Sequence, residues 1–161
     1  MSKSLPSKRT VRKFVLNEAR LIDDKKFDEW LGLFLEDAIY WMPLARDQVE
    51  EDVHNSLFYE DTLLLTVRVK RLSHPRAFSQ QPPSYCQHVL QKPEVTYDDK
   101  SETVHTSTPF IYIECQGDEQ VILTGKLCHQ LKCFDGKLKI YRKRVDLLNR
   151  DAALPSIQLF P

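Results

Sequence analysis

The side chains of this 161-residue chain best suited to moving a proton are His88, His105, Tyr40 and Tyr112, with Asp37 just ahead of Tyr40. General acid–base chemistry needs such groups poised together in one cavity. His88 and His105 lie in strand-like runs that neighbour each other in a meander. The set could therefore line a cone and serve a stand-alone dehydratase or isomerase acting on a small apolar substrate. The plainer reading, hydrogen-bonded histidines and tyrosines at strand positions, carries more weight. One proline decides part of the geometry: His105 shares a face with Ile111 and Ile113 only if Pro109 adds no bulge that resets the alternation.

Other chemistries are poorly served. The chain has four glycines in all, no Gly-x-Ser-x-Gly elbow and no glycine-rich phosphate loop. Cys86, Cys115, Cys128 and Cys133 form no Cys-x-x-Cys pair and are expected to be free, buried thiols. Cys128 and His129, though adjacent, point to opposite faces of a strand, so no metal site is expected. Lys139, Arg142, Lys143 and Arg144 cluster on the last strand among acidic residues without stacking aromatics, which reads as a solvated face rather than a nucleic-acid surface.

A different signal lies between Arg68 and Tyr85. Arg68, Arg71, His74, Arg76, Gln80 and Tyr85 gather where His74-Pro75 and Pro82-Pro83 forbid regular structure. Arginine and tyrosine favour interface cores, where planar polar groups sit on apolar area. The segment is read as a subunit interface, with Trp41 as a further docking residue; a solvated loop is the alternative.

The elements that must position these residues follow from periodicity. Val11 to Ile22 has helical spacing closed by Asp23-Asp24, and Asp28 to Phe34 reads as a short helix with Trp30, Leu33 and Phe34 inward. Ala38 to Met42 is a short aromatic strand stopped by Pro43, followed by a charged loop to about Asn55. Leu57 to Leu72 reads as a third helix, with Glu60-Asp61 near its start and Lys70-Arg71 near its end. Four strands complete the chain, over Tyr85–Tyr97, Thr103–Cys115, Val121–Phe134 and Leu138–Leu148, with hairpins at Gly117-Asp118 and Asp135-Gly136. Helices followed by a long meander predict an α+β fold: N-terminal helices packed in a strongly curved, mostly antiparallel, cone-shaped sheet.

Composition sets the outer bounds. A hydrophobic fraction of 42% in 161 residues suits one domain, here 1–161, with an N-terminal arm at 1–10 and a tail at 151–161 that docks on a surface. Lysine plus arginine equal aspartate plus glutamate at 23 each, which gives no field to recruit nucleic acid. No stretch approaches the roughly 18–20 apolar residues of a membrane span. Ser2 to Lys13 is polar and basic without a secretory core, so a cytoplasmic protein is expected.

Phe14 to Asp23, then Trp30-Leu31, then Asp37-Ala38-Ile39-Tyr40-Trp41-Met42-Pro43 resembles the N-terminal signature of the small (beta) subunits of bacterial aromatic-ring-hydroxylating dioxygenases. Glu60-Asp61, Leu64-Leu65, Arg68-Val69, His74-Pro75-Arg76-Ala77 and Ser79 to Ser84 look like that family's third helix and following loop. Asp135-Gly136-Lys137-Leu138 and Arg142 to Val145 look like its closing hairpin.

The resemblance implies a cone similar to nuclear transport factor 2 and ketosteroid isomerase. It also implies three copies joined to three large (alpha) subunits, which alone hold a Rieske 2Fe-2S cluster and a mononuclear Fe(II). Electrons would arrive from NAD(P)H through a reductase, sometimes with a ferredoxin. This chain lacks a Cys-x-His paired with Cys-x-x-His, so it is expected to hold no cofactor, metal or catalytic residue. Glu18, Asp23 and Asp37 then read as caps or ion-pair partners.

Overall fold

The computed structural model describes residues 5–46, 49 and 56–161. Ser7 starts the first helix by accepting the Thr10 amide at 3.2 Å, one of the donors a helix N-terminus leaves unpaired. This helix, α1 (Lys8–Asp23), buries Val11, Val15, Glu18, Ala19, Leu21 and Ile22 along one face. Since it begins at Lys8, the expected arm over 1–10 is shorter, and residues 1–4 lie outside the described residues. The second helix, α2 (Phe27–Leu31), stops earlier than its apolar pattern suggests. The chain turns at Gly32, whose amide donates to Asp28 O, and Phe34 already opens a strand.

That strand, β1 (Phe34–Pro43), pairs antiparallel with β2 (Ser56–Asp61), placing Tyr40 opposite Glu60. The helix expected over Leu57–Leu72 is thus a strand followed by a helix, α3 (Thr62–Leu72). Asp61 makes the break: its backbone is extended and its side chain caps α3 by accepting the Leu64 amide at 2.8 Å. Ahead of it, Phe58 and Tyr59 satisfy a pleated surface better than a helix. Most of the charged loop before Asn55 lies outside the described residues.

The region expected as one strand over Tyr85–Tyr97 is two, β3 (Ser84–Leu90) and β4 (Glu94–Asp98), interrupted around Pro93, which has no ladder donor. Both pair with β5 (Thr103–Gln116), which pairs with β6 (Glu119–Phe134), which pairs with β7 (Lys137–Leu147). The Asp135-Gly136 turn sets Cys133 opposite Leu138 and Phe134 opposite Lys137, as its type requires. Strand order is β2-β1-β7-β6-β5-β3, with β4 also on β5; the β1–β7 pair is parallel and the rest are antiparallel. This is the expected α+β architecture, a curled, unclosed sheet around the helices.

The core lies on the inner face of the curl, where Trp30, Tyr40, Leu65, Tyr112, Leu127 and Val145 are buried. The tail enters that core. Leu159, Phe160 and Pro161 are buried, the amides of Gln158 and Leu159 donate to Glu114 at 2.8 and 3.1 Å, and Tyr40 donates to Pro161 O at 2.6 Å. The tail therefore docks on its own chain's interior. The Phe160 ring sits 4.5 Å from Trp30, with Phe27 and Tyr40 meeting it edge-on. Burying Leu159 and Phe160 contributes roughly 1.5–3 kcal/mol per side chain before entropy is counted.

Candidate functional site

Direct pairing of β3 with β5 puts His88 opposite Tyr112 and Cys86 opposite Glu114. Because residues two apart on a strand share a face, these four side chains form a patch directed inward. The end of α1 lies over it and supplies Asp23. Its Oδ1 is 2.6 Å from His88 Nδ1 and 3.7 Å from Cys86 Sγ, and its carboxylate also accepts the His88 amide at 3.0 Å. His88 and Tyr112 stack edge-to-face at 4.9 Å, and Tyr112 donates to Glu114 at 2.5 Å. Burial pushes the Cys86 thiol up to about 12, and the Asp23 charge adds to the shift. Burial likewise raises Tyr112 far above the usual phenol.

Three of the residues singled out for proton transfer, His88, Tyr112 and Tyr40, do face the interior. His105 does not join them. The β5–β6 register runs unbroken through Pro109, so no bulge resets the alternation and residues an odd number apart face opposite ways. Tyr112 is seven positions from His105, so His105 sits outside with Ile111 and Ile113 and lines an outer groove with Cys128 and Gln130. Asp37 is exposed. The two phenols are also spent, Tyr112 on Glu114 and Tyr40 on Pro161. His88 alone keeps the arrangement of an oriented base, Nδ1 tied to a carboxylate and a buried Nε2 without a partner among the described residues.

A second polar cluster escaped the sequence reading. Lys143, expected on a solvated face, is fully buried with its Nζ 2.7 Å from Glu18 Oε1. Trp30 Nε1 donates to the same oxygen at 2.8 Å, and His129 Nε2 lies 3.4 Å from the other. Glu18 was legible as an ion-pair partner; its partner was not, because β7 alternation turns Lys143 inward while Arg142 and Arg144 stay outward. The cysteines are free, but none is fully buried as expected: Cys86, Cys115 and Cys128 are partly buried and Cys133 is exposed.

The expected interface residues divide. Arg71, His74, Arg76 and Tyr85 are exposed. Arg68 is engaged within the chain, paired with Glu60 and stacked 4.1 Å over Phe58. Gln80 braces its own loop, donating to Ser84 Oγ and accepting the Ser84 amide. Trp41 is buried, donating to Ser56 Oγ at 2.8 Å beneath Arg144. Leu63, Leu64 and Phe78, none of them among the expected interface residues, are 71%, 50% and 77% exposed. For the two leucines this follows from Leu65 and Val69 facing the core, which leaves the other side of α3 outward; Phe78 sits in the short turn Phe78–Gln80 beyond the helix.

Residues 17–152 match the family model described as ring hydroxylating beta subunit. The small oxygenase component of the p-cumate 2,3-dioxygenase system of Pseudomonas putida is 27% identical over 136 residues, covering 83% of this chain and 75% of that protein. A chain of naphthalene 1,2-dioxygenase with indole bound in the active site superposes with a TM-score of 0.81 at 17% identity, covering 100% of this chain and 88% of its own. An NTF2-like protein of cystatin-like fold from Novosphingobium aromaticivorans superposes with a TM-score of 0.60 at 13% identity, covering 88% and 82%. The cone is thus shared beyond the dioxygenases, and the matched sequence says which of its users this is: the chain belongs to the ring-hydroxylating beta subunit family.

Proposed function

We propose that this chain is the structural, assembly-forming small subunit of an aromatic-ring-dihydroxylating dioxygenase and carries no active site of its own. The large (alpha) subunit holds the Rieske 2Fe-2S cluster and the mononuclear Fe(II), and the two chains join as three and three. A reductase, with or without a ferredoxin, delivers electrons from NAD(P)H to that complex in the cytoplasm. The donor set clustered among the described residues supports this division. Asp23, Cys86 and His88 supply one sulfur, one imidazole and one carboxylate, short of the two cysteines and two histidines of a Rieske cluster and of the two histidines in an iron facial triad. Neither iron group fits these residues.

The observation that carries the reading is the outer side of α3 and the loop after it. Leu63, Leu64 and Phe78 expose large apolar side chains, and a groove of about 270 Å³ beside them is lined by Val67, Arg68, Arg71 and Ile157. Apolar residues with an exposed arginine at their rim are what a subunit interface buries. Arg71, His74 and Arg76 then contribute rim contacts.

Co-expression with a large (alpha) dioxygenase subunit tests the proposal. Ring hydroxylation and a hetero-oligomer by native mass measurement are expected, with Phe78→Glu and Leu63→Glu weakening association by about tenfold or more. Complete activity of the large subunit alone, or a complex indifferent to both substitutions, overturns it.

A further inference from the structure

We propose that Asp23, Cys86 and His88 form a binding site for a divalent cation of the zinc class. One ligand-capable atom from each lies within 4.8 Å of the others. Cys86 and His88, two apart on β3, project from the same face, and the third donor comes from the last turn of α1, 63 positions before Cys86. The site would join that helix end to the sheet.

Distances favour such an ion. Zinc bonds of 2.0–2.3 Å in a tetrahedron put neighbouring ligands about 3.3–3.7 Å apart. Asp23 Oδ1 and Cys86 Sγ already stand at 3.7 Å, while Oδ1 and His88 Nδ1, now 2.6 Å apart through a hydrogen bond, need to open by less than about 1 Å. Asp23 and Cys86 are only partly buried, which leaves an approach and a fourth position for water.

Charge points the same way. Among the described residues no lysine or arginine pairs with Asp23, whose side chain is only 20% exposed; His88 is its single ion-pair partner. A largely buried carboxylate favours a nearby cation. One sulfur, one imidazole and one carboxylate suit zinc rather than magnesium or calcium, which prefer all-oxygen shells. On binding, the thiol proton leaves to solvent, sulfur bonds the metal as thiolate, and the imidazole proton moves from Nδ1 to Nε2, freeing the Nδ1 lone pair.

The proposal stands apart from the assembly role and is tested without it. The full chain, stripped with a chelator, is titrated with cobalt(II). One equivalent should produce a near-ultraviolet thiolate-to-cobalt band with tetrahedral visible bands, bleached by zinc, and zinc should raise the melting temperature. Cys86→Ser should abolish the band, Asp23→Asn should weaken binding by about tenfold or more, and Cys133→Ser should change neither. Absence of a thiolate band in the unsubstituted chain, or its persistence in Cys86→Ser, overturns the site whatever the fate of the other variants.

Discussion

Lys143 Nζ lies 2.7 Å from Glu18 Oε1, and both side chains are wholly withdrawn from solvent. The pair joins α1 to β7 across 125 positions, and Trp30 Nε1 shares the same carboxylate oxygen. Removing one member strands the other as an unpaired buried charge, at a cost of about 3–5 kcal/mol. Lys143→Met should therefore lower the urea-unfolding free energy by that order. The double variant Glu18→Gln, Lys143→Met should cost less than the two singles together, because neither charge is left alone. Additive losses would show that the pair does not act as a unit.

The same carboxylate sets an acid limit. Burial by itself raises its pKa; Lys143 and His129 outweigh burial and hold Glu18 well below the usual carboxylate range. A folded-state value below the unfolded one means that stability is fully present above about pH 4–5 and is lost as pH falls through the acidic range. Unfolding free energies measured from pH 6 downward should fall steeply in the unsubstituted chain. In Glu18→Gln the curve should start lower and be flatter; equal slopes count against Glu18 as the source.

Phe160 fills the centre of the cone against Trp30, Phe27 and Tyr40. Phe160→Ala should cost about 3–5 kcal/mol, part of it the cavity left behind. A dry aromatic cavity binds small apolar rings, so benzene should raise the melting temperature of the variant and leave the unsubstituted chain unmoved. No benzene effect would mean that the tail collapses into the space.

Two glycines should respond in opposite degrees. A Cβ at Gly125 would drive into the Asp146 carbonyl on the neighbouring strand, so Gly125→Ala should abolish or severely destabilise the fold. Gly136 has φ +74° with open space around it, so Gly136→Ala should cost only about 1–2 kcal/mol of backbone strain. Thermal melts of the two variants suffice to compare them.

Much was legible in the residues themselves. Periodicity marked α1, the Asp135-Gly136 turn announced its hairpin, and the ordered motifs from Phe14 to Val145 named the family, because each depends on neighbours in the chain. The break at Asp61 was missed because an apolar stripe over Leu57–Leu72 fits a helix until β1 competes for its first five residues as a strand partner. The segment from Arg68 to Tyr85 stood out by composition, but its start belongs to α3, where Arg68 pairs with Glu60, and Gln80 braces the loop that follows.

Which groups meet inside the cone was decided by tertiary structure alone. Asp23 is 65 positions from His88, Glu18 is 125 from Lys143, and Tyr40 is 121 from Pro161. No local pattern encodes such distances; they follow from the β3–β5 and β1–β7 registers, which turn alternate residues inward and so bring Lys143 in and send His105 out. The sequence by itself determined α1, the hairpin turns and the family. Register and burial determined which polar groups must satisfy one another, because only in the closed core does an unpaired charge or amide cost enough to select its partner.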